Sequence, residues 1–556
     1  MTSKEALYRT LLLAIILTFA FIALWNLNYS YLWQDEAYTG FVASNFVRTG
    51  HLSCSDGRNI YAVFDGAQLR DDFTQPDQLT PDIAGAIGAF KLFGISTWAT
   101  RLPSALFGIA ALICFLVVLR REFPGMRTLH ILTLACLAFS AQFDLDARTG
   151  RYYTCVMLCA ILFYHAYRRF ITLRTWVNAV YVAITAVMLY YSHLLGGLAF
   201  IAAVLLTFVI FHRRKLVASD WAKVVLAVLL FLAATVPQVI GDHMLSYARG
   251  SGPQGIRPHL WLIYLNIRDL NLTNCFPWMC ALGLIFLLAV RRKDDDVKPI
   301  MSKVVEWWSI VVFYAICLAM ICAPSQTSME VATFRYLSPI IPFLCGLCGI
   351  FLWMAWRISK PLSAGLLLVV SCTNLLTLTP FPPNLFPATD TGRLLLPALV
   401  YEITHPYPTA DYAVIRYLKR FAGKDDVVAN YPTYHAVTMD FYLGDVVRTG
   451  ALLDYNSPLP RDIVERINPA LYIDEAYPQW VVFYGPTVDP KPILARFSRP
   501  HPMNGKLVSF HYLPAKYLNV YWAETNRGEL IRHVFGPVTV DNPGDGVTIY
   551  RRESDK

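Results

Sequence analysis

Charge is scarce in this sequence. Of its 556 residues only 16% are Asp, Glu, Lys or Arg, while 56% are hydrophobic. A soluble globular chain carries about a quarter charged residues, so a wholly soluble fold is excluded. A signal-peptide cleavage site is also missing. Lys4 and Arg9 precede an apolar run, but that run continues into Trp25-Asn26-Leu27-Asn28-Tyr29, which predicts an uncleaved anchor. No Cys-x-x-Cys pair faces a second one, which argues against a zinc ribbon. Most of the 12 cysteines, among them Cys114, Cys155, Cys159, Cys345 and Cys348, lie in apolar segments and read as small packing residues. Cys54 and Cys275 fall in loops expected on one side, and a disulfide between them is left open. Internal repeats and charges in the middle of apolar runs, the marks of many transporters, are absent. No contiguous basic face accompanies the net charge of +9, so nucleic acid is not an expected partner.

What is present is a series of long apolar runs between Tyr8 and Thr379. About 20 residues cross a bilayer, which predicts about eleven spans. They fall at roughly 8–25, 98–119, 128–143, 151–167, 177–191, 194–211, 221–240, 277–290, 303–322, 336–355 and 361–379. Alternate loops are basic: Arg120 to Arg127, Arg168 to Arg174, His212 to Lys215, Arg291 to Lys298, and Arg357 to Lys360. The positive-inside rule places these loops and the N-terminus in the cytoplasm. Pro81–Gly94 is apolar but falls short of the ~17-residue minimum for a span, and Lys91 interrupts it. It reads as a re-entrant or interfacial helix in one long external loop, 26–97. Counting it as a span would turn every later basic loop outward.

The pattern changes at Pro380-Phe381-Pro382-Pro383, where residues that cannot continue a helix begin a linker, 381–400. Residues 401–556 read as an extracytoplasmic α/β domain. Asp411–Phe421 has helical spacing, while Val427–Ala429 and Gln479–Tyr484 have strand character. No glycine-rich phosphate fingerprint follows these strands, so no nucleotide site is expected there. The fold class is therefore a polytopic α-helical membrane protein, 1–380, with a C-terminal soluble α/β domain.

The ionisable residues that could do chemistry cluster on the expected outer face. Asp35 and Glu36 follow the first span. Neighbours on a helix point about 100° apart, so only one of them can face a given pocket. The pair fits a carboxylate general base at the membrane surface. On spacing alone it fits better still the acidic first turn of a helix favoured by the helix dipole. Asp144 and Asp146 are expected in a tight loop between spans, followed by Arg148, Arg151 and Tyr152. These are either interfacial anchors or a phosphate-binding group, since guanidinium binds phosphate with two parallel hydrogen bonds. His193 caps the join of two spans, and Arg335-Tyr336 end another external loop. The loop 241–276 adds Asp242, His243, Arg249, Arg257, His259, Arg268 and Asp269. ATP and nucleotide sugars are cytoplasmic, so transfer chemistry on this face needs a donor carried by the membrane.

Several stretches resemble the integral-membrane glycosyltransferases of the GT-C class, closest to the bacterial aminoarabinose transferases and relatives of the protein O-mannosyltransferases. They are Trp33-Gln34-Asp35-Glu36-Ala37-Tyr38, Phe90–Gly94 continuing to Arg101-Leu102-Pro103-Ser104-Ala105-Leu106, Asp146-Ala147-Arg148 to Tyr152, and Arg335-Tyr336-Leu337-Ser338-Pro339. Tyr191-Ser192-His193 with Gly196-Gly197 is also similar, and the likeness spans residues 1–380. It implies inverting transfer of a sugar from a polyprenyl-phosphate donor to a glycan, lipid or protein acceptor. It gives Asp35 and Asp146 catalytic roles. Glu36, Arg148, Arg151, Tyr152, His193, Arg335 and Tyr336 become substrate-binding residues, with arginines beside the leaving phosphate. Gln78-Leu79-Thr80-Pro81-Asp82 departs from the family's paired proline with its preceding charged residue, so no metal ligand or phosphate-binding lysine is carried over from there. A divalent metal is left open, without ligands. The alternative class is a flippase or transporter of lipid-linked glycans.

Overall fold

The computed structural model describes residues 3–61, 73–74, 80–241, 256–263, 298–321, 334–373, 395–405, 409–449, 477–485, 489–499, 501–503, 506–508, 511–518 and 546–553. Two compact units emerge. The first draws on Met1–Trp25 and Ser104–Tyr401, and the second on Asn26–Pro103, Glu402–His533 and Pro537–Lys556.

The first unit is a helical bundle. Its helices are α1 (Ser3–Leu24), the greater part of α4 (Thr97–Glu122), α5 (Arg127–Ala138), α6 (Ala141–Arg148), α7 (Tyr153–Leu173), α8 (Trp176–Ser192), α9 (Leu194–Phe211), α10 (Ala218–Gly241), α11 (Lys298–Ile321), α12 (Ile341–Ile358) and α13 (Lys360–Cys372). Among the described residues seven helices are long and apolar enough to cross a membrane, or eight if the bent pair α5–α6 is one span. The protein is therefore a multi-pass membrane protein. The helices α8 and α13 are shorter apolar segments, and the expected span 277–290 lies outside the described residues.

Small residues set how closely these helices approach. A Cβ on Gly349 of α12 would overlap Thr133 Oγ1 of α5, and one on Gly346 would overlap the Trp307 ring of α11. At one end of the bundle, charges hold three helices together. Arg168 of α7 donates to Glu122 of α4 at 3.0 Å and to Glu306 of α11 at 2.8 Å, and Lys303 also pairs with Glu122.

The expected span 128–143 is not one straight helix. The helices α5 and α6 meet at 56° after Phe139 and Ser140 leave helical geometry. Asp144 and Asp146 therefore sit on a buried eight-residue helix, not in a tight loop. The expected span at 336 likewise begins as a 3-10 turn, Phe334–Ile340, before α12. Pro339 and Pro342 lie at that change, where a missing N–H costs least.

In the second unit α2 (Gln34–Thr49) packs on α3 (Pro81–Phe93) and on α15 (Ala436–Leu443). Ala37 and Phe41 of α2 meet Ile83, Ala86 and Phe90 of α3 and Val437 of α15. The C-terminal part contains β1 (Val427–Tyr431), β2 (Arg448–Thr449), β3 (Trp480–Tyr484), β4 (His501–Met503), β5 (Lys506–Val508), β6 (Tyr512–Leu518) and β7 (Val547–Arg552). Five of these form one sheet in the order β2-β1-β3-β7-β6. Its β1 pairs in parallel with β2 and β3, while β7 runs antiparallel to β3 and β6. The helix α14 (Ala410–Phe421) lays Val414, Ile415 and Leu418 on Val428, Trp480 and Ile549 of the sheet.

Candidate functional site

The Trp33–Tyr38 stretch begins α2, and the two acids separate there as helical geometry requires. Asp35 is partly exposed, while Glu36 is 1% exposed. Arg101, 2% exposed, holds Glu36 through two hydrogen bonds, Nε to Oε1 at 2.8 Å and Nη2 to Oε2 at 2.7 Å. The same guanidinium donates to the carbonyls of Leu27, Ser30 and Tyr31 at 2.8, 3.0 and 3.2 Å. All five donors of an arginine lie in one rigid fork, so a single side chain fixes both the incoming chain and the start of the helix. Glu36 Oε2 also accepts from Trp33 N at 3.4 Å. That is half of a capping box, since an indole offers no acceptor for the other half. Tyr442 adds a second tie: its hydroxyl accepts from Leu32 N at 2.9 Å and lies 2.6 Å from Thr97 Oγ1. Neither Arg101 nor Tyr442 was among the sequence-derived site residues, although Arg101 opens the Arg-Leu-Pro-Ser stretch.

The remaining candidates lie in the first unit. Asp146 accepts from Gln142 Nε2 at 2.8 Å through one oxygen. Its other oxygen and both oxygens of Asp144 are buried without a hydrogen-bond partner among the described residues. Carboxylates so placed are costly unless a proton or a cation compensates them. Arg148 is buried and clips the end of α1, donating to the carbonyls of Ile22 and Trp25 at 2.6 Å each. Arg151 lies over the Tyr152 ring at 5.2 Å, and its carbonyl accepts from Ser104 Oγ at 3.0 Å.

Tyr152, His193 and Tyr336 come together as a stack. The Tyr152 and His193 rings are 4.2 Å apart and 18° from parallel; His193 and Tyr336 are 5.2 Å apart at 24°. His193 ends α8 and caps α9, where Nδ1 accepts from Gly196 N at 2.9 Å. A neutral ring accepting at Nδ1 keeps its proton on Nε2. The paired glycines are required by proximity: a Cβ on Gly196 would meet His193 Nδ1 at 2.8 Å, and one on Gly197 the Leu189 carbonyl oxygen at 2.5 Å. The hydroxyl of Tyr314 donates to the Tyr336 carbonyl. Arg335 lies in the same 3-10 turn as Tyr336, and its side chain lies outside the described residues.

Arg257 and His259 of the 241–276 loop are described, and His259 Nδ1 bonds to the Ala319 carbonyl at 2.6 Å. Asp242, His243, Arg249, Arg268 and Asp269 lie outside the described residues, as does Cys275. Cys54 is buried against the Tyr38 hydroxyl. Among the described residues no three His, Cys, Asp or Glu side chains converge as a metal site.

No family model and no curated protein matches the sequence. Among solved structures, the chain is similar to ArnT from Cupriavidus metallidurans bound to undecaprenyl phosphate, with 14% identity, 99% of this chain and 98% of that chain covered, and a TM-score of 0.49. It is similar to the oligosaccharyltransferase AglB from Archaeoglobus fulgidus in complex with an inhibitory peptide and a dolichol-phosphate, with 11% identity, coverage of 87% and 70%, and a TM-score of 0.46. The mycobacterial arabinofuranosyltransferase AftD is 12% identical, with 99% of this chain and 42% of that chain covered at a TM-score of 0.38.

Proposed function

We propose that the chain is a GT-C-type glycosyltransferase that moves a sugar from a polyprenyl-phosphate donor to a glycan, lipid or protein acceptor on the outer face of the membrane. The observation that carries this reading is the separation of Asp35 from Glu36. The Arg101 fork consumes Glu36 and fixes the start of α2, leaving Asp35 partly exposed beside it. A carboxylate held on a rigid element is what a general base needs.

In the proposed step the acceptor hydroxyl oxygen attacks the anomeric carbon from the face opposite the phosphate. The new C–O bond forms as the bond to the phosphate oxygen breaks, the configuration inverts, and Asp35 takes the hydroxyl proton. The polyprenyl phosphate leaves with the bonding electron pair. Cations beside it stabilise that developing charge. Arg151 and Arg335 are assigned this task, and Tyr152, His193 and Tyr336 offer stacked rings for sugar or lipid. Asp146 is assigned to acceptor or donor orientation. Glu36 and Arg148, both spent on backbone and ion-pair contacts, are assigned to hold the scaffold.

The test gives purified protein radiolabelled polyprenyl-phosphate sugars and a membrane extract. Label moving to an acceptor in a protein-dependent way supports the reading. Movement of the labelled lipid across vesicles without transfer would replace it with the flippase reading.

A further inference from the structure

At the end of the bundle where α1 begins, α4 ends and α5 begins, the first unit has an open cavity of about 580 Å³. Six side chains define its chemistry: Glu5, Tyr8, Arg9, Arg120, Arg127 and His130. None of them belongs to the proposed catalytic machinery.

The wall of the cavity is a chain of hydrogen bonds with one direction. Arg120 Nε donates to the Tyr8 hydroxyl at 3.2 Å, and the Tyr8 hydroxyl donates to His130 Nδ1 at 3.0 Å. His130 Nε2 then donates to the Phe123 carbonyl at 2.8 Å. Tyr8 and His130 are both buried, so this wall is set by packing. The guanidinium groups of Arg120 and Arg127 each lie 5.6 Å from the Tyr8 ring centre.

The charges do not balance. Arg9 and Arg127 share a single carboxylate, Glu5, at 2.8 and 2.7 Å. Arg120 feels the Glu5 charge but makes no ion-pair contact with a carboxylate among the described residues. Three arginines against one glutamate leave two positive charges, and guanidinium is the group best shaped for phosphate oxygens.

We propose that this cavity holds the phosphate headgroup of an anionic glycerophospholipid. Its volume falls in the range of small-molecule sites. The helices beside it explain why the anion is a lipid. Leu7, Leu11 and Leu17 of α1 and Ile113 and Val117 of α4 are exposed apolar side chains, a surface for acyl chains running from the cavity along the spans. Basic pockets between spans bind such headgroups in this way.

The experiment uses the full chain in detergent, titrated with phosphatidylglycerol or phosphatidylcholine and read by native mass spectrometry. One phosphatidylglycerol is expected to be retained in preference to phosphatidylcholine. The double variant Arg120→Gln, Arg127→Gln is expected to weaken that retention about 30-fold, about fivefold per arginine. Glu5→Gln removes the only carboxylate among the described lining residues and is expected to strengthen it, which keeps the test decisive if the double variant fails to fold. Equal retention of the two lipids, or weaker retention by Glu5→Gln, would overturn the proposal. Inorganic phosphate is the second arm. Binding of phosphate as tight as that of the lipid would assign the cavity to a soluble anion and overturn the lipid source; no saturable phosphate binding supports it.

Discussion

Arg101 shows how much one side chain can decide. It is buried in an apolar segment, where an unpaired guanidinium would be costly, and it escapes that cost by meeting a carboxylate and three carbonyls at once. Removing one partner of a buried pair leaves the other uncompensated, at about 3–5 kcal/mol. Arg101→Ala is therefore expected to lower the unfolding temperature markedly, and Arg101→Lys to rescue it only in part, because a lysine cannot make the two-pronged contact. Thermal unfolding of the purified variants checks this; an unchanged midpoint for Arg101→Ala would contradict the clamp. Asp440 poses the opposite case. It lies on α15, 4% exposed, with no hydrogen-bond partner for either oxygen among the described residues. Burial, and secondarily the nearby Asp56 charge, push its carboxyl well above the usual carboxylate range. A raised folded-state value means that the folded form holds the proton more tightly than the unfolded one. Its favourable contribution is full below the ordinary carboxylate range and is lost as pH rises toward the folded value. Asp440→Asn should accordingly raise stability at neutral pH and flatten its dependence on pH, as measured by unfolding midpoints across a pH series.

At the scale of elements, length and hydropathy revealed the long spans, because lipid allows few other ways to satisfy a backbone. Ser3–Leu24, Thr97–Glu122, Tyr153–Leu173 and Leu194–Phe211 fall close to where the apolar runs placed them. Pro81–Phe93 is a 13-residue helix, as its short apolar run suggested. The break at Phe139-Ser140 was not legible, since neither residue is a helix breaker and the turn depends on packing. For that reason the sequence put Asp144 and Asp146 in a loop. The acid pair at Asp35 and Glu36 was legible as a pair, but which of them is buried depends on Arg101, 65 positions along the chain from Glu36. The 3.6-residue period says that two neighbours diverge and cannot say which one is buried. Close helix contacts carry their own prediction. Gly349 has a Thr133 side chain in the space that a Cβ would take, so Gly349→Val is overpacked and should cost about 1–3 kcal/mol. Expression and thermal midpoint of the variant would reveal it, and wild-type stability would contradict the tight approach of α5 and α12.

At the scale of the whole molecule, the second unit brings the first long loop and the C-terminal sheet onto one helix, α15. Met439 and Leu443 of α15 belong to the core of the sheet, while Val437 of the same helix packs with α2. The helix that carries Asp35 is thus supported by the C-terminal part of the chain. The basic loops predict that this unit faces outward. A reporter active only in the cytoplasm should be silent when fused at Lys556 and active when fused before Lys4; activity at Lys556 would reverse the topology. Asp35 is proposed to be the base of a sugar transfer. The most direct measurement is the rate of transfer from a radiolabelled polyprenyl-phosphate sugar by wild-type protein and by Asp35→Asn, with both shown to be monodisperse and equally stable. A loss of about 10²–10⁴-fold, the usual worth of a positioned general base, is the predicted result. Turnover by Asp35→Asn at the wild-type rate would contradict it.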